Sequence, residues 1–203
     1  MKNITLVALL AFALVACGKK DESASGTADP VEGKEGAKPA GDDPKPPSGF
    51  DCGTLLTDAE VEKACGAKGT VKKLGDEGTT KTVGSAKMLH VCYRDIAFES
   101  GAHVTLAINF VSGGQTAEDM VRGSMDTAGK AGWGKKIDMT GYVGMPPSTD
   151  PATESLELRG LLRGTMIELT TSHKTGEAWA CNEDGLKALA KVLIDRVPAA
   201  PSR

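Results

Sequence analysis

Three histidines, His90, His103 and His173, are the residues of this 203-residue chain best suited to acid–base chemistry near neutral pH. One of them has a carboxylate within reach. Asp95 and His103 fall on two apolar runs, 91–98 and 102–111, that read as the arms of a hairpin about Glu99-Ser100-Gly101. That loop makes the two residues diagonal neighbours on one face, with Tyr93 beside Asp95. A carboxylate orienting an imidazole is half of a hydrolytic site. A nucleophile is not evident, because Thr105 and Ser100 have no activating context. A solvated surface pair is the plain reading, and hydrolysis by Asp95 and His103 is the sharp one. The same register sends His90 to the opposite end and face from His103.

The segment Gly129-Lys130-Ala131-Gly132-Trp133-Gly134-Lys135-Lys136 comes close to a phosphate-binding loop. It fails where Lys136 replaces the hydroxyl that would bind magnesium, and it follows a helix and precedes a strand, the reverse of the order such a loop needs. It reads as a glycine-rich turn in which Trp133 either closes the core or anchors a partner. Cysteines are the other reactive group. Cys52, Cys65, Cys92 and Cys181 form an even set, which argues for two disulfides in any of three connectivities. No C-x-x-C pair is present, so a structural zinc site is not expected. No cofactor is expected either.

The elements that must carry these residues follow from periodicity and turn chemistry. Thr57 with Glu60 forms a capping box for a helix ending at Gly66. A short strand at 70–74 follows, and 75–87 is too polar and glycine-rich to assign. In the 91–111 hairpin, Cys92, Ile96 and Phe98 face Val104, Leu106, Ile108 and Phe110. The other face shows Tyr93, Asp95, His103, Thr105 and Asn109 to water. Thr116 caps a helix reaching about 128. A strand over 135–144 precedes a second hairpin about Arg163-Gly164. Its register groups Leu156, Leu158 and Leu162 with Ile167 and Leu169, and it sets Arg159 opposite Glu168. A last helix over 183–197, capped by Asn182, presents Leu186, Leu189, Ala190, Leu193, Ile194 and Val197. The expected fold is α+β: an antiparallel sheet with helices on one face, a possible αβββ pseudo-repeat and a C-terminal helix.

The N-terminus has the parts of a secretory signal. Lys2 precedes a nearly unbroken apolar run from Ile4 to Ala16, shorter than the ~20 residues a helix needs to cross hydrocarbon. Residues 18–50, rich in Gly, Ala, Ser, Pro, Lys, Asp and Glu, read as a solvated tether, and 51–203 as one domain. Leu14-Val15-Ala16-Cys17 resembles the lipobox of bacterial lipoproteins. That resemblance implies cleavage before Cys17, acylation of Cys17, and a lipid bilayer as partner. Gly18 in the second mature position, rather than Asp, implies the outer membrane, with the domain facing the periplasm or the exterior. Lipidation would also account for the odd fifth cysteine.

Cys52-x-x-Leu55-Leu56-Thr57-x-x-Glu60-Val61, with Gly66 and then Cys92, resembles a pattern in small exported bacterial lipoproteins whose domain has no assigned activity. Tyr93 follows Cys92 one place earlier than the aromatic of that pattern. The resemblance implies a bridge from Cys52 to Cys92, which leaves Cys65 with Cys181. It carries no functional residue with it.

Net charge is −3 at pH 7, with no basic patch, so nucleic acid is excluded as a partner class. The leading expectation is a membrane-anchored, non-catalytic envelope protein that binds an envelope protein, peptide or polymer. Its surface would be Tyr93, Asp95, His103 and Asn109 together with Trp133. A small envelope hydrolase is the alternative. A third reading is a protective inhibitor, because the tandem αβ units with disulfides resemble the architecture of secreted β-lactamase inhibitors.

Overall fold

Thr57 fixes where the fold begins its first helix. In the computed structural model, which describes residues 45 and 47–200, its hydroxyl accepts from Glu60 N at 3.3 Å while the Glu60 carboxylate accepts from Thr57 N at 3.0 Å. Helix α1 therefore spans Asp58–Cys65 and stops at Gly66, whose φ of +71° suits glycine. The signal segment, Cys17 and the tether up to residue 44 lie outside the described residues. After α1 come strands β1 (Gly69–Lys73), β2 (Thr80–Val83), β3 (Ala86–Phe98) and β4 (His103–Gly113). Helix α2 (Ala117–Lys130) is followed by β5 (Gly134–Lys136), β6 (Gly141–Gly144), β7 (Thr153–Leu162) and β8 (Thr165–Lys174), and α3 (Glu183–Leu193) closes the chain. Thr116 and Asn182 cap α2 and α3. None of these helices is long and apolar enough to cross a membrane.

The eight strands form one antiparallel sheet in the order β1-β3-β4-β8-β7-β6-β5, with β2 beside β3 on the β1 edge. The fold is α+β, and its two halves meet where β4 pairs with β8. Each half is a helix followed by four strands, not the expected three. β2 was illegible because all four of its residues are exposed, so an edge strand with no core face leaves no apolar alternation to read. The stretch expected as one strand over 135–144 folds back on itself as β5 and β6.

Both long hairpins keep their expected registers. Cys92 to Ala97 pair with Ile108 to His103, and Arg159 stands opposite Glu168 across a turn in which Arg163 and Gly164 both have positive φ. One irregularity matters. A bulge between His90 and Cys92 shifts the pairing, so His90 lies opposite Asn109 and shares a face with Tyr93 and His103. The expectation that His90 and His103 occupy opposite faces is thereby corrected.

The first face of the sheet carries Ile96, Leu106, Ile108, Leu158, Ile167 and Leu169, fully buried against Val61 of α1 and Leu186, Leu189 and Leu193 of α3. Each such side chain contributes about 1.5–3 kcal/mol by leaving water. Ile194 is 39% exposed, because α3 ends at Leu193 and the chain turns before Val197 re-enters the core. Helix α2 lies on the opposite face. Its Ala117 and Val121 cover Met166, with Met88, Val111 and Leu161 around them. The expectation of all helices on one face therefore fails for α2, since a methionine-rich end of the second face also needs cover.

Two disulfides join the turn before α1 to β3 (Cys52–Cys92) and the end of α1 to the chain entering α3 (Cys65–Cys181), across 40 and 116 residues of sequence. In the chain-entropy account these loops are worth about 4 and about 5 kcal/mol. Gly185 makes the second one possible: a Cβ there would stand 2.7 Å from Cys181 Sγ and 3.2 Å from the Ala64 carbonyl.

Candidate functional site

Alternation along the strands places Tyr93, Asp95, His103 and Asn109 on the second face of the sheet, as expected, but in three different situations. His103 Nδ1 is 2.9 Å from Asp95 Oδ1, and the His103 side chain is 55% exposed. No hydroxyl is bonded to that imidazole among the described residues, and neither residue lines either of the two cavities described below. Tyr93 stacks on His90 with ring centroids 5.3 Å apart. Asn109 is wholly buried, which corrects its placement on a wet surface. Its side-chain amide is enclosed by strand neighbours that hydrogen-bond it on both sides.

Those neighbours belong to a polar chain that crosses the sheet from β6 to β3. The Tyr142 hydroxyl donates to Glu157 Oε1 at 2.5 Å. Arg159 Nη2 lies 3.4 Å from the same oxygen and 2.5 Å from Glu168 Oε1. Asn109 Nδ2 donates to Glu168 Oε2 at 3.1 Å, and Asn109 Oδ1 is 2.7 Å from His90 Nδ1. An amide oxygen only accepts, so that imidazole nitrogen carries the hydrogen. Helix α2 joins through Ser124, whose Oγ accepts from Arg159 Nη1 at 2.7 Å.

Burial, and then the hydrogen bond to Glu157, push the Tyr142 phenol far above its ordinary range, so it keeps its proton and donates it. Burial works against the Arg159 charge, but Glu168 and Glu157 outweigh it and hold the guanidinium more firmly protonated. Two carboxylates around one guanidinium leave the cluster with a net negative charge.

Beside this cluster, between α2 and strands β6 and β7, runs an open groove of about 410 Å³. Its walls include Met120, Gly123, Trp133, Tyr142 and Pro146, and Glu157 and Arg159 form its polar floor. Trp133 is half-buried and meets Tyr142 edge to face at 5.5 Å, so it lines the groove and is part of neither apolar cluster. Gly144 sets its position, since a Cβ there would collide with the Trp133 carbonyl oxygen. Sequence reasoning singled out Trp133 and the Arg159–Glu168 pair but missed Tyr142 and Glu157. Glu157 had a signal: it lies two residues before Arg159, hence on the same face.

A smaller cavity of about 130 Å³ has Ile137, Met139 and Leu158 beneath Lys136, Lys187 and Lys191. Lys187 is already paired with Glu183 at 2.7 Å. Ligand atoms of Cys52, Glu77 and Cys92 lie within 4.8 Å of one another, but the two sulfurs are bonded to each other and offer no thiolate. The glycine-rich segment 129–136 runs from helix to strand, as the sequence implied. Comparison with known proteins finds no matching family model, no matching curated protein and no matching solved structure.

Proposed function

We propose that the chain is a lipid-anchored envelope protein, held at the outer membrane through acylated Cys17. Its α+β domain is a non-catalytic module that binds an envelope partner in the groove beneath α2. The lipobox-like Leu14-Val15-Ala16-Cys17 supports the anchor. The observation that carries the binding reading is the groove itself, with an aromatic wall at Trp133 and a polar floor already fixed by the Tyr142–Glu157–Arg159 chain. Side chains held in place before a ligand arrives lose little entropy on binding it. Mass spectrometry of the membrane fraction tests the anchor: a mature N-terminus other than acylated Cys17, or retention of a Cys17→Ser variant in the membrane, rejects it. A photoreactive side chain at position 123 tests the groove, and the absence of any specific cross-link in intact cells counts against it.

The Asp95–His103 contact at 2.9 Å supports a second reading, a small envelope hydrolase. Turnover of ester or amide substrates that is abolished by His103→Ala would establish it. Turnover unaffected by that change would dismiss it.

A further inference from the structure

We infer that the cavity between α3 and the β5–β6 connection binds a small organic anion, a carboxylate held by the rim lysines on an apolar body about the size of one benzene ring. The site lies on the first face of the sheet, away from the groove beneath α2, and does not depend on the binding reading above.

The floor sets the size of the ligand. β5 ends at Lys136 and β6 begins at Gly141, and between them Ile137 and Met139 both pack onto the core. With Leu158 they form the apolar floor of a cavity of about 130 Å³. Gly160 of β7 leaves room for this arrangement, because a Cβ there would stand 2.9 Å from Met139 Sδ. An engineered apolar cavity of about 150 Å³ holds benzene, so one ring fills this one and a long acyl chain exceeds it.

The rim sets the charge. It is made by Lys136 from β5, Asp138, and Lys187 and Lys191 one turn apart on α3. Lys187 pairs with Glu183 at 2.7 Å and lies 3.7 Å from Asp184, and Lys135 pairs with Glu183 at 2.9 Å from outside the cavity. Those four charges cancel. Lys136, Lys191 and Asp138 have no side-chain partner among the described residues, which leaves two cations against one anion at the mouth. Lys191 also suits the last turn of α3, where a cation meets the helix dipole. Lys136 has no such structural duty. Two ammonium groups without acceptors above an apolar floor complement a carboxylate on an apolar body. A ligand cation would meet both ammonium groups, and a neutral ring would leave them to water.

The test uses the full-length chain in non-ionic detergent micelles, with its seven methionine methyl groups labelled with carbon-13. Met139 lines this cavity and Met120 lines the groove, so the two methyl signals tell which site a probe enters. Phenylacetate is expected to shift the Met139 signal, identified by its loss in Met139→Leu, and to leave Met120 unmoved. At matched free concentration it should bind at least about fivefold more tightly than benzyl alcohol, benzylamine or acetate, and salt should weaken that preference. A smaller preference over any of the three overturns the inference, as does a Met139 signal that stays in place or a shift of Met120 alone. Lys136 and Lys191 are both exposed, so Lys136→Met with Lys191→Met leaves the core untouched. In that variant phenylacetate should lose its advantage over benzyl alcohol, and an advantage that survives there overturns the assignment to the lysines.

Discussion

Arg159 of β7 and Glu168 of β8 stand directly opposite each other, their charged atoms 2.5 Å apart, on the face of the sheet that α2 partly covers. Glu157 shares the same guanidinium, so removing the cation leaves two half-buried carboxylates facing each other. Arg159→Met is expected to lower stability by about 2 kcal/mol, and Arg159→Met with Glu168→Leu to recover most of that loss. Urea unfolding of the three proteins measures it. A single variant within experimental error of the parent would remove the cluster from the account of what holds β7 and β8 in place.

Gly185→Ala provides a test of opposite sign from the usual helix substitution. In an open helix the change stabilises, but here the methyl would press on Cys181 Sγ and on the Ala64 carbonyl. The expected outcome is a loss of about 2 kcal/mol, with slower closure of the Cys65–Cys181 bond on reoxidation. A variant as stable as the parent would mean that α1 and α3 do not approach this closely.

Gly123→Ala should do the reverse. With nothing within 4 Å of the new methyl, the free protein should gain about 1 kcal/mol, raising Tm by roughly 3 °C. An unchanged or lower Tm would show that the fold needs the glycine for reasons of its own.

Acid should loosen the contact between α1 and the chain beyond α3. Arg196 donates to both oxygens of Glu60, at 2.5 and 2.9 Å, and to the Leu55 carbonyl at 3.0 Å. The Arg196 hydrogen bond, and then the one from Thr57 N, hold the Glu60 carboxyl down at about 2, against an ordinary value of 4.5. A carboxyl depressed in the folded state stabilises fully above its unfolded value, and that stabilisation is lost as pH falls through the folded one. The contribution should therefore fade between about pH 4.5 and 2. In Arg196→Gln, acid unfolding should begin at a higher pH than in the parent. Coincident acid transitions by circular dichroism would contradict the assignment.

Much of this architecture was legible because local rules decide it. Thr57 and Glu60 announce a helix start, Arg163-Gly164 announces a tight turn, and the leucines at 156, 158 and 162 can share a face in only one register. The site was legible in pieces. Asp95 and His103 meet as their spacing requires, yet neither lines either of the two cavities. Asn109 alternates onto the polar face correctly, but alternation cannot reveal that the bulge at Val91 brings His90 over to enclose it. The groove depended on the side of the sheet to which α2 returns. That choice was fixed by Met88, Val111, Leu161 and Met166, four residues scattered along the chain that become a patch only after the strands have paired.

The Cys52–Cys92 bond has a mechanical consequence. Cys52 lies at the very start of the folded body, and Cys92 lies in β3, a strand paired along both of its edges. A pull arriving through the preceding chain therefore passes through sulfur into β3, where it meets many strand hydrogen bonds loaded together. Without that bond the same pull would first unwind the Cys52–Thr54 turn and then peel α1 away one turn at a time. A domain pulled from the N-terminal side of Cys52 thus resists at its centre, and α1 stays out of the line of force.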